Sequence, residues 1–109
     1  MLGKFVIVRS RDQGVVCGVL RAIAGRAVEL DDARQIHSWS DGANTLFEMS
    51  LSGCGQARIS EPIPEILILD VCGVIPCSPK AERNLRQSRW DKSFDASVSS
   101  RAPRKSRDS

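Results

Sequence analysis

The sequence predicts an α+β fold: a small, mainly antiparallel β-sheet of four to five strands, with two short helices and a disordered C-terminal tail. Segments rich in β-branched residues alternate with turns containing Gly, Pro and Ser. Two further segments carry the start signals of helices. Residues 89–109 are rich in Ser and basic side chains and poor in large hydrophobic ones. We therefore expect a compact α+β domain at residues 1–88 and a basic, Ser-rich tail at residues 89–109.

The first three predicted strands lie near the N-terminus. Residues 4–9 read KFVIVR, a composition typical of a strand. Residues 15–23 and 26–30 form the next two, and the turn Ala24-Gly25 between them predicts a β-hairpin. Gly18 weakens the second strand or marks a bulge in it.

Residues 34–39 allow two interpretations. Asp31 and Asp32 are able to cap a short helix through Ile36, because a carboxylate accepts hydrogen bonds from the free amides of a first turn. The alternation of polar with apolar or aromatic residues instead suits a strand. We favour the strand, with Ile36 and Trp39 on opposite faces.

Two short helices are predicted later in the chain. Asn44 is a plausible N-cap for a helix over residues 45–52 that stops at Gly53. Ser78-Pro79 is a strong start signal for a second helix over residues 79–87, because proline is favoured at the first helical position. The side chains that the first helix should bury are Leu46, Phe47 and Leu51.

The most hydrophobic segment, EILILDVCGVI at residues 65–75, follows a short edge strand at residues 58–60. Its apolar run is nearly continuous, which is typical of a strand that is covered on both faces. We therefore expect one central strand here, with Gly73 as the candidate position of a bulge.

Charge is distributed unevenly along the chain. The net charge is +3 at pH 7. Residues 1–88 hold ten basic and ten acidic side chains, and residues 89–109 hold six basic and three acidic ones. All the excess positive charge therefore belongs to the tail, which is not typical of a dedicated nucleic-acid-binding domain. No segment resembles a signal peptide or a membrane span, so we expect a cytoplasmic protein.

The four cysteines do not suggest a metal site. Cys17, Cys54, Cys72 and Cys77 contain no C-x-x-C pair, and the chain has one histidine. Zinc sites usually combine four Cys or His ligands at short spacing. We expect four small, buried hydrophobic side chains, and neither a metal nor a cofactor.

The distinctive polar and aromatic side chains of the domain are concentrated in residues 29–46. Trp39 with Arg34 suits a planar, anionic ligand, because indole stacks on flat rings and guanidinium binds phosphate. His37 is a general base by its ordinary pKa, although no partner for it can be assigned from sequence. The predicted ligand-binding residues are Arg34, His37, Trp39 and Asn44.

The tail offers an alternative site. Its basic residues are suited to non-specific, salt-sensitive contacts with phosphates. The predicted contacts in that case are Arg101, Arg104, Lys105 and Arg107.

Several segments together resemble a family of small, mostly uncharacterised bacteriophage and prophage proteins, in order over about residues 4–85. The matching segments are FVIVRS, GVVCGVL, ELDDARQIHSW, GANTL and SEPIPEILILDVCGVIPCSPKA. Small phage proteins without catalytic motifs often act by binding, either to a host defence protein or to a nucleotide signal inside a homo-oligomer. The resemblance thus implies a non-enzymatic, anti-defence accessory protein of the host cytoplasm. The alternatives are a nucleic-acid-associated phage protein that uses the tail and a hydrolase that uses His37.

Overall fold

The fold is described by a computed structural model for residues 1–40 and 45–88, and these residues contain six strands and two helices. The expected α+β class and the antiparallel sheet are confirmed, with six strands in place of four to five. The elements, in chain order, are β1 (Phe5–Ser10), β2 (Gly14–Ala24), β3 (Ala27–Ser40), α1 (Leu46–Ser52), β4 (Gln56–Ile59), β5 (Ile63–Ile68), β6 (Val71–Pro76) and α2 (Pro79–Gln87).

The sheet is so strongly curved that β5 and β6, which follow each other in the chain, pair with strands on opposite sides of β2. Its strand order is β4-β3-β2-β1-β6, and β5 pairs with the first half of β3. Only Leu69 and Asp70 separate β5 from β6, yet β5 pairs with β3 and β6 pairs with β1. Since β3 and β1 lie on opposite sides of β2, this short connection is possible only in a strongly curved sheet. The result is a small, barrel-like sheet.

The hairpin of β2 and β3 is bent, and this bend allows the sheet to curve into a barrel-like shape. The pairing register shifts between Cys17 and Val19, so the expected irregularity at Gly18 is confirmed. A Cβ atom at Gly18 would lie 2.8 Å from the carbonyl oxygen of Asp31, so the two strands approach more closely than any side chain allows. The tip of the hairpin also binds the start of β6, because the Val71 amide donates to the Arg26 carbonyl oxygen at 2.9 Å.

Hydrophobic side chains fill the space on both sides of the sheet. One cluster lies inside the curl, and the other lies between the sheet and the two helices. The buried members of the inner cluster are Val6, Val8, Val16, Leu20, Val28, Leu30, Ala33, Ile68 and Val71. Those under the helices are Phe5, Ile7, Cys17, Ile36, Met49, Cys54, Ala57, Ile59 and Leu85.

Helix α1 forms where it was predicted but turns a different face to the core. Thr45 caps it, since its side-chain oxygen accepts a hydrogen bond from the Glu48 amide at 3.2 Å. Its buried residues are Met49 and Ser50. Phe47 and Leu51 are instead 72% and 66% exposed, so the expectation that both would be buried is wrong.

Helix α2 matches its prediction closely. Ser78 caps it and accepts a hydrogen bond from the Ala81 amide at 3.0 Å. Ala81 and Leu85, one turn apart, face the core. The guanidinium of Arg86 lies 4.8 Å from the centroid of the Phe5 ring, a cation–π contact between α2 and β1.

The apolar segment at residues 65–75 is not one central strand. It supplies most of β5 and β6, which pair with strands on opposite sides of β2. The prediction of burial on both faces is also wrong for β5, because Leu67 is 60% exposed and Ile68 is buried. Each strand uses about half of its apolar side chains for the core.

The cysteines are free thiols, and the expectation of four buried ones holds in part. Cys17 and Cys54 are buried, Cys77 is partly buried, and Cys72 is exposed. Burial raises the pKa of Cys17 and of Cys77 to about 12, so these two thiols stay protonated at neutral pH. Within residues 1–40 and 45–88, no helix is long and apolar enough to span a bilayer. The predicted tail lies outside the described residues.

Candidate functional site

An open cleft lies on the helix-covered side of the sheet, where the end of β3 approaches β1, β6 and the start of α1. It consists of two adjoining cavities of about 540 and 740 Å³. Both are within the size range of small-molecule sites, about 300–1,000 Å³. The residues that line both cavities are Arg9, Trp39 and Cys72.

Arg9 reaches the cleft because of its position at the end of β1. Side chains alternate along a strand, so Arg9 projects to the same side as Phe5 and Ile7. Phe5 and Ile7 are buried under the helices, whereas Arg9 is exposed. It is paired with Val15 on β2 and with Gly73 on β6. Arg9 therefore lines the cleft, and its pairing partner on β6, Gly73, has no side chain.

Trp39 forms another part of the wall, from the end of β3. The sequence predicts that Trp39 and Ile36 lie on opposite faces of this strand, and this is wrong. The register between β3 and β4 shifts between Ile36 and Ser38, and such a bulge changes which side the following residues face. Trp39 is partly buried and packs against the same cluster as Ile36. Its remaining surface lines the cleft.

A second bulge brings Cys72 into the cleft. Arg9 pairs with Gly73 and Ser10 pairs with Val71, so Cys72 is the extra residue on β6. A bulge redirects a side chain that regular pairing would point elsewhere. Next to it, a Cβ atom at Gly73 would meet nothing within 4 Å. The missing side chain of Gly73 therefore contributes to the open volume.

The two cavities differ in chemistry. The smaller has two arginines in its lining, Arg9 and Arg11, although most of its surface is apolar. The larger is mainly apolar, and its additional lining residues are Thr45, Leu46, Phe47, Gly73, Val74 and Ile75. A molecule that spans both would have an anionic part near the arginines and a planar or apolar part near Trp39 and Phe47.

No carboxylate of the described part of the chain is bound to the arginines of the cleft. Among residues 1–40 and 45–88, neither Arg9 nor Arg11 forms an ion pair or a side-chain hydrogen bond. The carboxylate of Asp70 instead accepts hydrogen bonds from the Ser10 hydroxyl at 2.6 Å and the Asp12 amide at 2.7 Å. These bonds hold the pKa of Asp70 below its ordinary value.

Arg34, the cation that the sequence suggested for a phosphate, lies elsewhere. Its side chain is buried between β3 and the C-terminal end of α2. The guanidinium donates hydrogen bonds to the carbonyl oxygens of Ser60 at 2.8 Å, Leu85 at 2.6 Å and Arg86 at 3.0 Å. It also donates to the carbonyl oxygen of Ser88. Its evident contribution is to satisfy the last carbonyls of a helix, which have no partner within the helix itself.

Among the other predicted site residues, His37 is the one that the structure describes, and it is not brought into the cleft with Trp39. His37 is exposed on β3 and does not line either cavity. Asn44 lies outside the described residues, as do Arg101, Arg104, Lys105 and Arg107. No three His, Cys, Asp or Glu side chains of the described segments are grouped so that they would hold a metal ion.

Sequence reasoning missed Arg9, Arg11 and Cys72. A signal for Arg9 is present, since a charged residue ends an otherwise apolar strand, FVIVR. Its proximity to Trp39 could not be predicted, because it depends on pairings between β1, β2 and β3 and on a bulge. Cys72 could be placed only once the bulge in β6 was known.

Comparisons with known proteins identify a family but no function. Neither a curated protein nor a solved structure matches the chain. A family model described as "Domain of unknown function (DUF6948)" matches residues 3–85, which contain every strand and most of α2. The match covers well over half of the chain, so this protein belongs to the DUF6948 family.

Proposed function

We propose that this protein is a non-enzymatic binding protein whose Arg9–Trp39 cleft holds a planar, anionic ligand of the nucleotide type. The observation that supports this most directly is the pairing of an exposed arginine with a half-buried tryptophan in one open cleft. Guanidinium groups bind phosphate through charge-assisted hydrogen bonds, and an indole stacks on a planar base. Arg9 thus takes the part that the sequence suggested for Arg34.

The shape and charge of the cleft support the same ligand class. The smaller cavity accommodates the phosphate beside Arg9 and Arg11, and the larger cavity accommodates the base beside Trp39 and Phe47. Cys72 lines both cavities, so its oxidation or alkylation would change the charge or the volume where the two cavities meet. The described lining residues of the cleft include two arginines and two aromatic side chains, which are suited to holding a ligand, so binding is the function that we propose.

In the phage setting that the sequence resemblance implies, this binding withdraws a host nucleotide signal and so acts against host defence. We propose that the protein does this as a homo-oligomer in the host cytoplasm. Nucleic-acid binding through Arg101, Arg104, Lys105 and Arg107 stays a separate prediction, because those residues lie outside the described part of the chain. Deleting residues 91–109 and measuring DNA binding at moderate salt tests it, because binding that is retained excludes the tail as the contact.

Calorimetric titration of the full chain with AMP and with adenosine tests the proposed site. We expect AMP to bind more tightly than adenosine, because only AMP carries a phosphate. Arg9→Gln should lower the affinity for AMP about tenfold or more and leave that for adenosine nearly unchanged. Trp39→Ala should weaken both ligands, since both lose the stacking partner.

The substitution Gly73→Leu should fill part of the cleft without removing any side chain that binds the ligand. A side chain at this position enters open space, so we expect the variant to fold and to bind neither ligand. Arg21→Gln is the matched control, because it removes the same charge from the distant β2–β3 hairpin. Equal AMP binding by the wild type and by Gly73→Leu would refute the site, and so would equal losses in Arg9→Gln and Arg21→Gln.

A further inference from the structure

The outward side of β5 is an apolar surface that no described element covers. Ile63, Glu65 and Leu67 alternate along the strand and therefore project to the same side, and Leu69 follows them. Ile63, Leu67 and Leu69 are 46%, 60% and 69% exposed. Large apolar side chains grouped in this way, with polar residues around them, usually mark an interaction surface.

Acidic side chains lie within this apolar row and beside it on β3. Asp31 of β3 is paired directly with Glu65, and Glu29 is paired with Leu67. Two carboxylates directly opposite each other on neighbouring strands destabilise the sheet. Arg21 binds Asp31 at 2.8 Å, and within the described residues neither Glu29 nor Glu65 has an ion pair. The surface therefore carries three carboxylates against one guanidinium.

We propose that this face, the β5 surface (Glu29, Asp31, Ile63, Glu65, Leu67 and Leu69), binds an extended segment of a partner protein in which Lys or Arg alternates with apolar residues. The apolar positions pack on Leu67 and Leu69. A cationic side chain of the partner pairs with Glu65 or Glu29, which have no ion pair within the described residues. The row from Ile63 to Leu69 is about 20 Å long, which corresponds to about six extended residues of the partner.

The charges favour this partner over the other occupants of an apolar sheet face. A second copy packed about a two-fold axis would place the same acidic surface against itself. Nucleic acids and anionic membranes present phosphates, which the carboxylates repel. A basic and apolar polypeptide satisfies both the hydrophobic and the electrostatic character of the surface.

The test uses a fluorescein-labelled ten-residue peptide in which Lys alternates with Val, titrated with the full chain and followed by fluorescence polarisation. A peptide with Glu in place of Lys, and another with Ser in place of Val, are the controls. We expect only the Lys–Val peptide to bind. Leu67→Ser and Glu65→Gln should each weaken binding about tenfold, and Gly73→Leu in the cleft should leave it unchanged.

Light scattering on the same samples distinguishes a second copy from a partner protein. Equal binding of the Lys–Val peptide by wild type and Leu67→Ser, or equal binding of the Glu–Val peptide, overturns the proposal. A dimer that dissociates in Leu67→Ser also overturns it, in favour of self-association. Because the β5 surface and the cleft are altered by different substitutions, failure of one proposal leaves the other intact.

Discussion

Arg34 shows how one buried side chain can link two distant elements of this fold. Its guanidinium donates to the carbonyl oxygens of Leu85 and Arg86 at the end of α2 and of Ser60 after β4. A planar guanidinium has five donors in a fixed geometry, which suits several carbonyls at once. Leucine or lysine at this position cannot satisfy the same set.

Arg34→Ala should therefore lower the free energy of unfolding by about 3 kcal/mol, because it leaves buried carbonyl oxygens without a donor. Urea unfolding followed by circular dichroism measures this. Arg34→Lys should restore only a small part of the loss. Arg21→Ala is the matched control, since an exposed ion pair contributes about 0–1 kcal/mol. If Arg34→Ala and Arg21→Ala unfold at the same urea concentration, Arg34 does not hold α2 in place.

The sequence could not distinguish these roles for Arg34. Its chemistry is correct for a phosphate, and its neighbour Trp39 does line the cleft. Whether an arginine faces a cleft or a helix end depends on what the sheet brings next to it. In this chain Arg34 faces a helix end because α2, about fifty residues later in the sequence, packs next to it.

At the scale of elements, Asp70 joins two turns that are distant in sequence. It lies between β5 and β6, and its carboxylate binds the Ser10 hydroxyl and the Asp12 amide in the turn between β1 and β2. These hydrogen bonds stabilise the ionised form and lower the pKa of Asp70. The contribution of Asp70 to stability therefore depends on pH.

The direction of that dependence follows from the lowered pKa. The folded state binds the proton of Asp70 less tightly than the unfolded chain, whose pKa is near the ordinary value of 3.8. The stabilisation is complete above that value and is lost as the pH falls through the lower pKa of the folded state. Asp70→Asn should unfold at a lower temperature than the wild type at pH 7. The difference should shrink as the pH falls below 3.8, as thermal melts at several pH values would measure. A difference that stays constant down to pH 2 would contradict this role.

The orientation of α1 gives a second test at this scale. Met49 is fully buried, whereas Phe47 is 72% exposed. Met49→Ala should lower the free energy of unfolding by about 2–5 kcal/mol, as buried Met-to-Ala changes do. Phe47→Ala should change it by about 0.5 kcal/mol or less. The reverse order in urea unfolding would show that α1 buries the face expected from sequence. That face could not be chosen by periodicity, because a helix of two turns with apolar residues on several sides has no single apolar stripe.

For the molecule as a whole, local patterns predict most of the elements but not how the sheet closes. Strand composition, the β2–β3 turn and the Ser78-Pro79 cap place β1, β2, the start of β3 and α2 correctly. The two separate strands predicted at residues 26–30 and 34–39 are wrong, because β3 runs unbroken from Ala27 to Ser40. For residues 65–75 the sequence predicts one strand, because two strands with one buried face each have the same apolar composition as one strand buried on both faces. The closure depends on contacts between distant segments, such as Val71 with Arg26.

Local patterns likewise predict some residues of the candidate site but not which residues the fold brings together. Trp39 was predicted from its own chemistry, and Arg9 was not, because their proximity depends on three strands and a bulge. Residues from β1, β3, β6 and α1 contribute to one cleft. The predicted ligand class is retained in our proposal, while its cationic partner changes from Arg34 to Arg9.

Native mass spectrometry of the full chain tests the central claim, that the cleft holds a nucleotide-like ligand. The wild type and Gly73→Leu are purified gently from the same cells and measured before and after incubation with AMP and ADP. We predict a nucleotide-sized mass addition on the wild type that is absent from Gly73→Leu, and the same spectra report the oligomeric state. Bare chains in both samples, even with nucleotide supplied, would contradict the proposal.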